Sequence, residues 1–242
     1  MFFKKLLFFI TITTIYPIFS NYKSQVSQDK FLNEILFKNK KNGFFVDIGA
    51  HDGYTGSNTW FFEKDLDWNG ICIEPISAVF TKLCKNRSCI CINACASNKN
   101  EFIPFINVTG YAEMLSGMVE NYHPLHLERL EREIKQEGGS YKIIEVPCYK
   151  INDILKRFEV TVIDYLSLDI EGGEYELLQS LDFNVYKVTA ISVENNYNDS
   201  RIRDYLTSTG FTYITTLHGL DEIYVNNSMI YNLDLSILES SN

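Results

Sequence analysis

Four apolar runs in this chain end in carboxylates. FFVDIGAHDG, residues 44–53, closes on Asp47, with Gly49, Ala50 and Gly53 behind it. GICIEP, residues 70–75, closes on Glu74. IDYLSLDIEGG, residues 163–173, closes on Asp169 and Glu171, followed by Gly172 and Gly173. VTAISVENN, residues 188–196, closes on Glu194, Asn195 and Asn196. Carboxylates at strand tips do two kinds of chemistry. They accept hydrogen bonds from hydroxyl or ammonium groups of a ligand, and they take protons as general bases.

The first two acids specify a ligand type. A dinucleotide site would show G-x-G-x-x-G, with amides aimed at a pyrophosphate. Here the pattern is D-x-G-x-x-x-G, and no G-x-x-x-x-G-K-[ST] occurs. Asp47, two residues before Gly49, would repel a pyrophosphate but attract a cation. S-adenosylmethionine carries a sulfonium and an ammonium and no phosphate, and so fits. Gly49 permits a sharp turn out of the strand, and Gly53 a close backbone approach to the ligand. Glu74, twenty-seven residues after Asp47, can accept from both ribose hydroxyls. The competing reading of Asp47 is a turn residue at a strand end.

Asp169, Glu171 and Glu194 are expected to face the same crevice, as the catalytic candidates. Three roles stand open for them. They can act as general base toward a hydroxyl, hold a divalent cation with hard oxygen ligands, or cap the next helix. Glu174 and Glu176 read as charges at a helix N-terminus. His51 lies inside the glycine turn, and His123 and His126 precede a charged helix. No Ser-His-Asp or Cys-His arrangement follows from the spacing.

These tips need strands in register and helices to hold them. SQVSQDKFLNEILFKNKKNG reads as a helix with Phe31, Leu32, Ile35 and Leu36 on one face. Strands and helices then alternate through GFFVDIG, GSNTWFFEKDL, GICIEP, SAVFTKLCKN and SCICINACAS, which predicts parallel strands with right-handed crossovers. Residues of about 110–140 interrupt the rhythm with a helical insertion, HPLHLERLEREIKQEGG, striped by Leu127, Leu130 and Ile134. It reads as a solvated surface helix or a lid. Alternation resumes with INDILKRF, IDYLSLDIEGG, EYELLQSL, VTAISVENN and DSRIRDYLTSTG. FTYITTLHGLDEIYVNN closes the domain as an antiparallel hairpin turning at Gly219. The expected fold class is α/β, a mostly parallel seven-stranded sheet with a C-terminal antiparallel hairpin and helices on both faces.

The chain has 242 residues, 45% hydrophobic, which suits one domain with its own core. A formal net charge of -9 argues against nucleic acid as partner, since phosphate binding needs Lys and Arg. Residues 1–20 place Lys4 and Lys5 before an apolar stretch ending near Ser20, the layout of a signal peptide or signal anchor. The domain proper is then 21–242, in the secretory pathway, touching a membrane only if the leader is uncleaved. A cytosolic location is the alternative. Asn-X-Ser/Thr sites at Asn86, Asn107, Asn198 and Asn226 agree with secretion. Six cysteines, Cys72, Cys84, Cys89, Cys91, Cys95 and Cys148, allow disulfides. They lack a CxxC pair for zinc.

The string FFVDIGAHDGYTGSNTWFFEKDLDWNGICIEP, with IDYLSLDIEGGEYELLQSLDF and the upstream SQVSQDKFL, resembles the FkbM family of S-adenosylmethionine-dependent methyltransferases. The likeness runs from Ser24 to Asn196. It implies a class I methyltransferase (Rossmann-like) fold and transfer to a hydroxyl of a sugar, glycan or small molecule. It implies that Asp47, Gly49, Gly53 and Glu74 contact the cofactor, with Ala50 and Asn58 in the same pocket and Asn93 and Ala94 near the adenine. The alternative is a methyltransferase-like binding protein without catalysis, similar to Star-type trafficking partners of the secretory pathway.

Overall fold

The computed structural model describes residues 21–233. The leader reading of residues 1–20 lies outside the described residues. The chain opens with α1 (Gln28–Leu32), which runs on as a turn of π-helix over Asn33–Phe37. Then come β1 (Phe44–Ile48), α2 (Trp60–Leu66), β2 (Asn69–Ile73), α3 (Ser77–Asn86) and β3 (Ile90–Ile92). β4 (Cys95–Ser97), β5 (Glu101–Thr109), β6 (Gly117–Met118), α4 (Pro124–Glu137) and β7 (Ser140–Lys150) follow. The last stretch holds α5 (Ile151–Arg157), β8 (Val162–Leu168), α6 (Glu174–Ser180), β9 (Lys187–Glu194), α7 (Ser200–Ser208), β10 (Phe211–Leu217) and β11 (Asp221–Asn226).

Seven strands form one sheet in the order β10-β11-β9-β8-β1-β2-β3. Neighbours from β9 through β3 are parallel, and β11 and β10 are antiparallel additions. This is the predicted class I methyltransferase sheet with its C-terminal hairpin. Alternation along the central strands sorts side chains onto two faces. Val46 and Ile48 of β1 join Leu166 and Leu168 of β8 and the inner residues of α5, α6 and α7. Phe45 and Tyr165, pointing the other way, join Phe61, Phe62 and Trp68 around α2 and Leu83 of α3. Strand order reverses between β1 and β8, so their carboxyl ends diverge from neighbouring helices and leave a crevice.

The chain between β3 and α5 differs from expectation. SCICINACAS is not one strand. It splits at Asn93 and Ala94 into β3 of the main sheet and β4 of a second, four-stranded sheet ordered β4-β7-β5-β6. The insertion is therefore mainly a β-hairpin, nine register pairs of β5 against β7, with α4 laid across one end. The helix buries Leu130 fully and shares a cluster with Ile106, Val108 and Leu115. Leu127 of the expected stripe is exposed, and His126, 1% exposed, takes its place inside. A histidine can do so because its ring nitrogens find partners there.

Candidate functional site

At the carboxyl ends of β1, β2, β8 and β9 lies a cavity of about 620 Å³, within the span of small-molecule sites. Asp47, Gly49, Ala50, Asn58, Glu74 and Ala94 line it from one side, and Asp169, Glu171 and Glu194 from the other. Gly53 and Asn93 do not line it. A Cβ on Gly53 would fall 2.5 Å from Leu83 Cδ1 and 2.7 Å from Arg87 Cγ, so this glycine makes room for α3 packing, not for a ligand. Asn93 donates to the carbonyls of Glu74 and Pro75 at 2.9 and 3.0 Å and accepts from Ser77 Oγ at 2.8 Å. It fixes the exit of β2 and with it the Glu74 backbone.

Gly49 sits at φ +85, and an added Cβ would lie 1.7 Å from the Asp169 carbonyl oxygen. The exits of β1 and β8 thus touch backbone to backbone, joined by the bond from Asp169 N to Ile48 O at 3.1 Å. That contact sets the width of the cavity floor.

Asp47 is buried, 4% exposed, and turns toward the α2–α3 face. Its Oδ2 accepts from Thr59 Oγ1 at 2.6 Å, with Arg87 Nη1 4.0 Å away. Arg87 has a fully buried side chain and is the residue that motif reading missed. It donates to Glu63 Oε2 at 2.5 Å, Thr59 Oγ1 at 2.9 Å, Ser57 Oγ at 3.2 Å and the Gly53 carbonyl at 3.3 Å. One guanidinium therefore ties the glycine loop, the α2 N-terminus and α3 together from beneath. Burial raises the Asp47 pKa, opposed by Arg87 and by the Thr59 hydrogen bond. The only sequence signal for Arg87 is a lone arginine after an amphipathic helix, which nothing distinguishes from a surface charge.

Glu74 Oε1 accepts from Ile76 N at 2.7 Å, and a backbone hydrogen bond from His51 also reaches the carboxylate. Burial still pushes its pKa up to about 7. Asn58 donates to Ser167 Oγ at 3.0 Å, while its Oδ1 is buried without a partner. A buried acid with lone pairs to spare and an orphaned amide oxygen fit a ligand that brings hydroxyls and an ammonium. S-adenosylmethionine brings both. His51, at φ 47, also lines the cavity, with Nε2 3.3 Å from Glu113 Oε1.

On the opposite wall, Asp169, Glu171 and Glu194 each offer a carboxylate oxygen within 4.8 Å of the others. Burial raises all three pKa values, and like charge adds to it: Glu194 acts on Asp169, Asp169 on Glu171, and Glu171 on Glu194. Arg129 of α4 also lines the cavity and pulls Glu171 back. Glu174 does not join them, because its Oε1 accepts from Gly172 N at 2.9 Å and Ile170 N at 3.3 Å. Asn195 accepts from Asp199 N at 2.7 Å, and so holds the residue that caps α7 by accepting from Arg201 N at 3.0 Å. The insertion supplies the remaining wall through Phe105, Ala112, Met114, Leu115 and Met118, none of which the sequence singles out. All six thiols are free, with Cys72 Sγ 3.5 Å from Cys89 Sγ.

Residues 47–213 match the methyltransferase FkbM domain. No curated protein matches the sequence. Among solved structures, M. capricolum TrmK in complex with the cofactor product S-adenosyl-homocysteine is 11% identical, at a TM-score of 0.41 over 85% of this chain and 70% of that one. The METTL16 MTase domain is 12% identical, at a TM-score of 0.42 over 82% of this chain and 65% of that one. The fibrillarin/Nop5p complex gives 11% identity and a TM-score of 0.38, over 78% and 73%.

Proposed function

The chain belongs to the FkbM family of S-adenosylmethionine-dependent methyltransferases, and from that premise we propose that it methylates a hydroxyl oxygen of a sugar, glycan or other small molecule. The observation that carries this reading is the two-sided cavity. One wall holds a ribose-type acid and an orphaned amide oxygen, and the other holds three carboxylates whose pKa values burial has raised. When bound, the cofactor supplies an electrophilic methyl group. Glu74 accepts hydrogen bonds from its ribose, and Asn58 Oδ1 and Asp47 favour its cationic end. Asp169, assisted by Glu171 and Glu194, takes the hydroxyl proton, and a raised pKa brings such a base closer to working pH. Much of the acceleration comes from holding donor and acceptor in line.

One observation favours a second reading of the same acids. Three carboxylate oxygens so close together are also a ligand set for a hard divalent cation such as Mg²⁺. Residues 1–20 support a secretory location, and protease protection in sealed microsomes tests it.

Calorimetry with S-adenosylmethionine tests the main reading. The expected result is one site of micromolar affinity, followed by transfer to a hydroxyl acceptor at a rate unchanged by EDTA. Loss of turnover in chelator, restored by Mg²⁺, would establish the metal. A folded protein that does not bind the cofactor would be a binding module instead.

A further inference from the structure

A second cavity, of about 480 Å³, opens on the far side of the acid wall. Glu171, Glu194 and Asn196 line both cavities, so the two meet at the carboxylates and nowhere along the cofactor wall. From Asn121, Gly172 and Gly173 to Tyr197 and Asp199, the second cavity belongs to the insertion and to the exits of β8 and β9. Its position places whatever it holds next to the methyl donor's pocket.

The chemistry of its lining is uneven. Six carboxylates face it, and Arg201 is the sole Lys or Arg among the described residues lining it. Arg201 is already engaged by Asp199 at 2.6 Å and by Glu176 at 3.3 Å. Glu174 is consumed by backbone amides. Glu171 differs from these. Its side chain is 10% exposed, its Oε2 has no hydrogen-bond partner, and its backbone is held at φ 58, which a non-glycine residue rarely adopts. His126 Nδ1 lies 3.5 Å from that oxygen but is engaged by Tyr197 Oη at 2.9 Å. The Tyr197 ring stacks on His123 at 4.1 Å and 17°, so it stands as a fixed aromatic plate in the cavity wall.

A buried carboxylate oxygen without a donor, beside an aromatic plate, is the pairing that recognises organic ammonium groups. We infer that this second cavity holds one end of the acceptor of the proposed methyltransferase, whose reacting hydroxyl reaches past Glu171 and Glu194 toward Asp169, and that the end it holds carries a protonated amine, as an amino sugar does. This rests on the methyltransferase reading above. The ammonium supplies the donor that Glu171 Oε2 lacks and lies against Tyr197. Uronates, phosphates and sulfates are turned away by the same carboxylates.

The full chain loaded with S-adenosylhomocysteine is titrated with glucosamine, N-acetylglucosamine and glucuronate, followed by ligand-observed NMR. Glucosamine is expected to bind about tenfold tighter than its neutral N-acetyl analogue, the worth of one partly desolvated ammonium contact. Glucuronate should be weakest. In Glu171→Gln the preference falls to within about twofold. The wild-type ranking alone decides if that variant does not fold. Equal affinity for the three sugars, a preference for the uronate, no sugar binding by the loaded protein, or Mg²⁺ held more tightly than glucosamine overturns the inference. Failure of S-adenosylhomocysteine itself to bind would sink the methyltransferase reading, whereas loading without an amine preference sinks this one alone.

Discussion

The two walls of the cofactor cavity are built on opposite principles. On the β1–β2 side each acid is matched, Asp47 by Thr59 and Arg87, Glu63 by Arg87 and Glu74 by the Ile76 amide, and what stays open there is neutral, Asn58 Oδ1 and the His51 ring. On the β8–β9 side three carboxylates crowd together, one oxygen has no partner, and the cation that answers them, Arg129, has a side chain 42% exposed on an inserted helix. The first wall is a scaffold that holds one shape. The second stores unfavourable electrostatics that an arriving ligand can relieve.

That contrast can be broken most severely at the seam between the walls. Gly49→Ala places a methyl inside the Asp169 carbonyl at a positive φ. The β1 and β8 exits have to part, and the expected outcome is loss of soluble, folded protein, read from expression and circular dichroism. A folded variant with native cofactor affinity would mean that the seam is not rigid.

The next largest effect compares two arginines. Arg87→Met leaves Asp47 and Glu63 buried without their cation. It should cost about 3–5 kcal/mol in denaturant unfolding and weaken cofactor binding with it. Arg129→Met on the other wall should cost under about 1 kcal/mol, since its partner Glu133 is met at a half-exposed surface. Equal losses would erase the distinction between scaffold and acceptor wall.

The smallest effect is read in pH. Glu74 has its pKa raised by burial from 4.5 to about 7. A raised carboxyl pKa means the folded state holds its proton more tightly, so its contribution is present below about 4.5 and is lost as pH rises through about 7. The full swing is about 3 kcal/mol. The ligand-free protein should therefore melt lower at pH 8 than at pH 5, with part of that slope absent in Glu74→Gln. Cofactor binding needs the ionised form, so its Kd should rise by up to about tenfold for each pH unit below 7 and stay level above it. A flat profile would show that Glu74 does not meet the ribose.

What could be read in the sequence follows the same division. The strand tips that carry Asp47, Glu74, Asp169 and Glu194 were legible because each ends a continuous apolar run, and a buried parallel strand leaves that trace. The hairpin around Gly219 was legible from alternation and a turn residue. The second sheet was not. β5 reads EFIPFINVT with Pro104 inside it, and β7 exposes Tyr141, Ile143 and Tyr149, so neither shows a regular period. Arg87 and His126 escaped for another reason. Their roles arise from what packs over them across the fold, and neither carries a local mark.

The second sheet has one more property. β4 and β7 run side by side in parallel, with Cys95 opposite Cys148. The excursion from β4 to β7 therefore begins and ends side by side, before α5 carries the chain on to β8. Everything between is a cassette with adjoining ends, and lengthening such an excursion adds only about 0.6 kcal/mol per doubling. A change of substrate in this architecture can be a change of cassette, made over a cofactor scaffold that never has to be refolded to receive it.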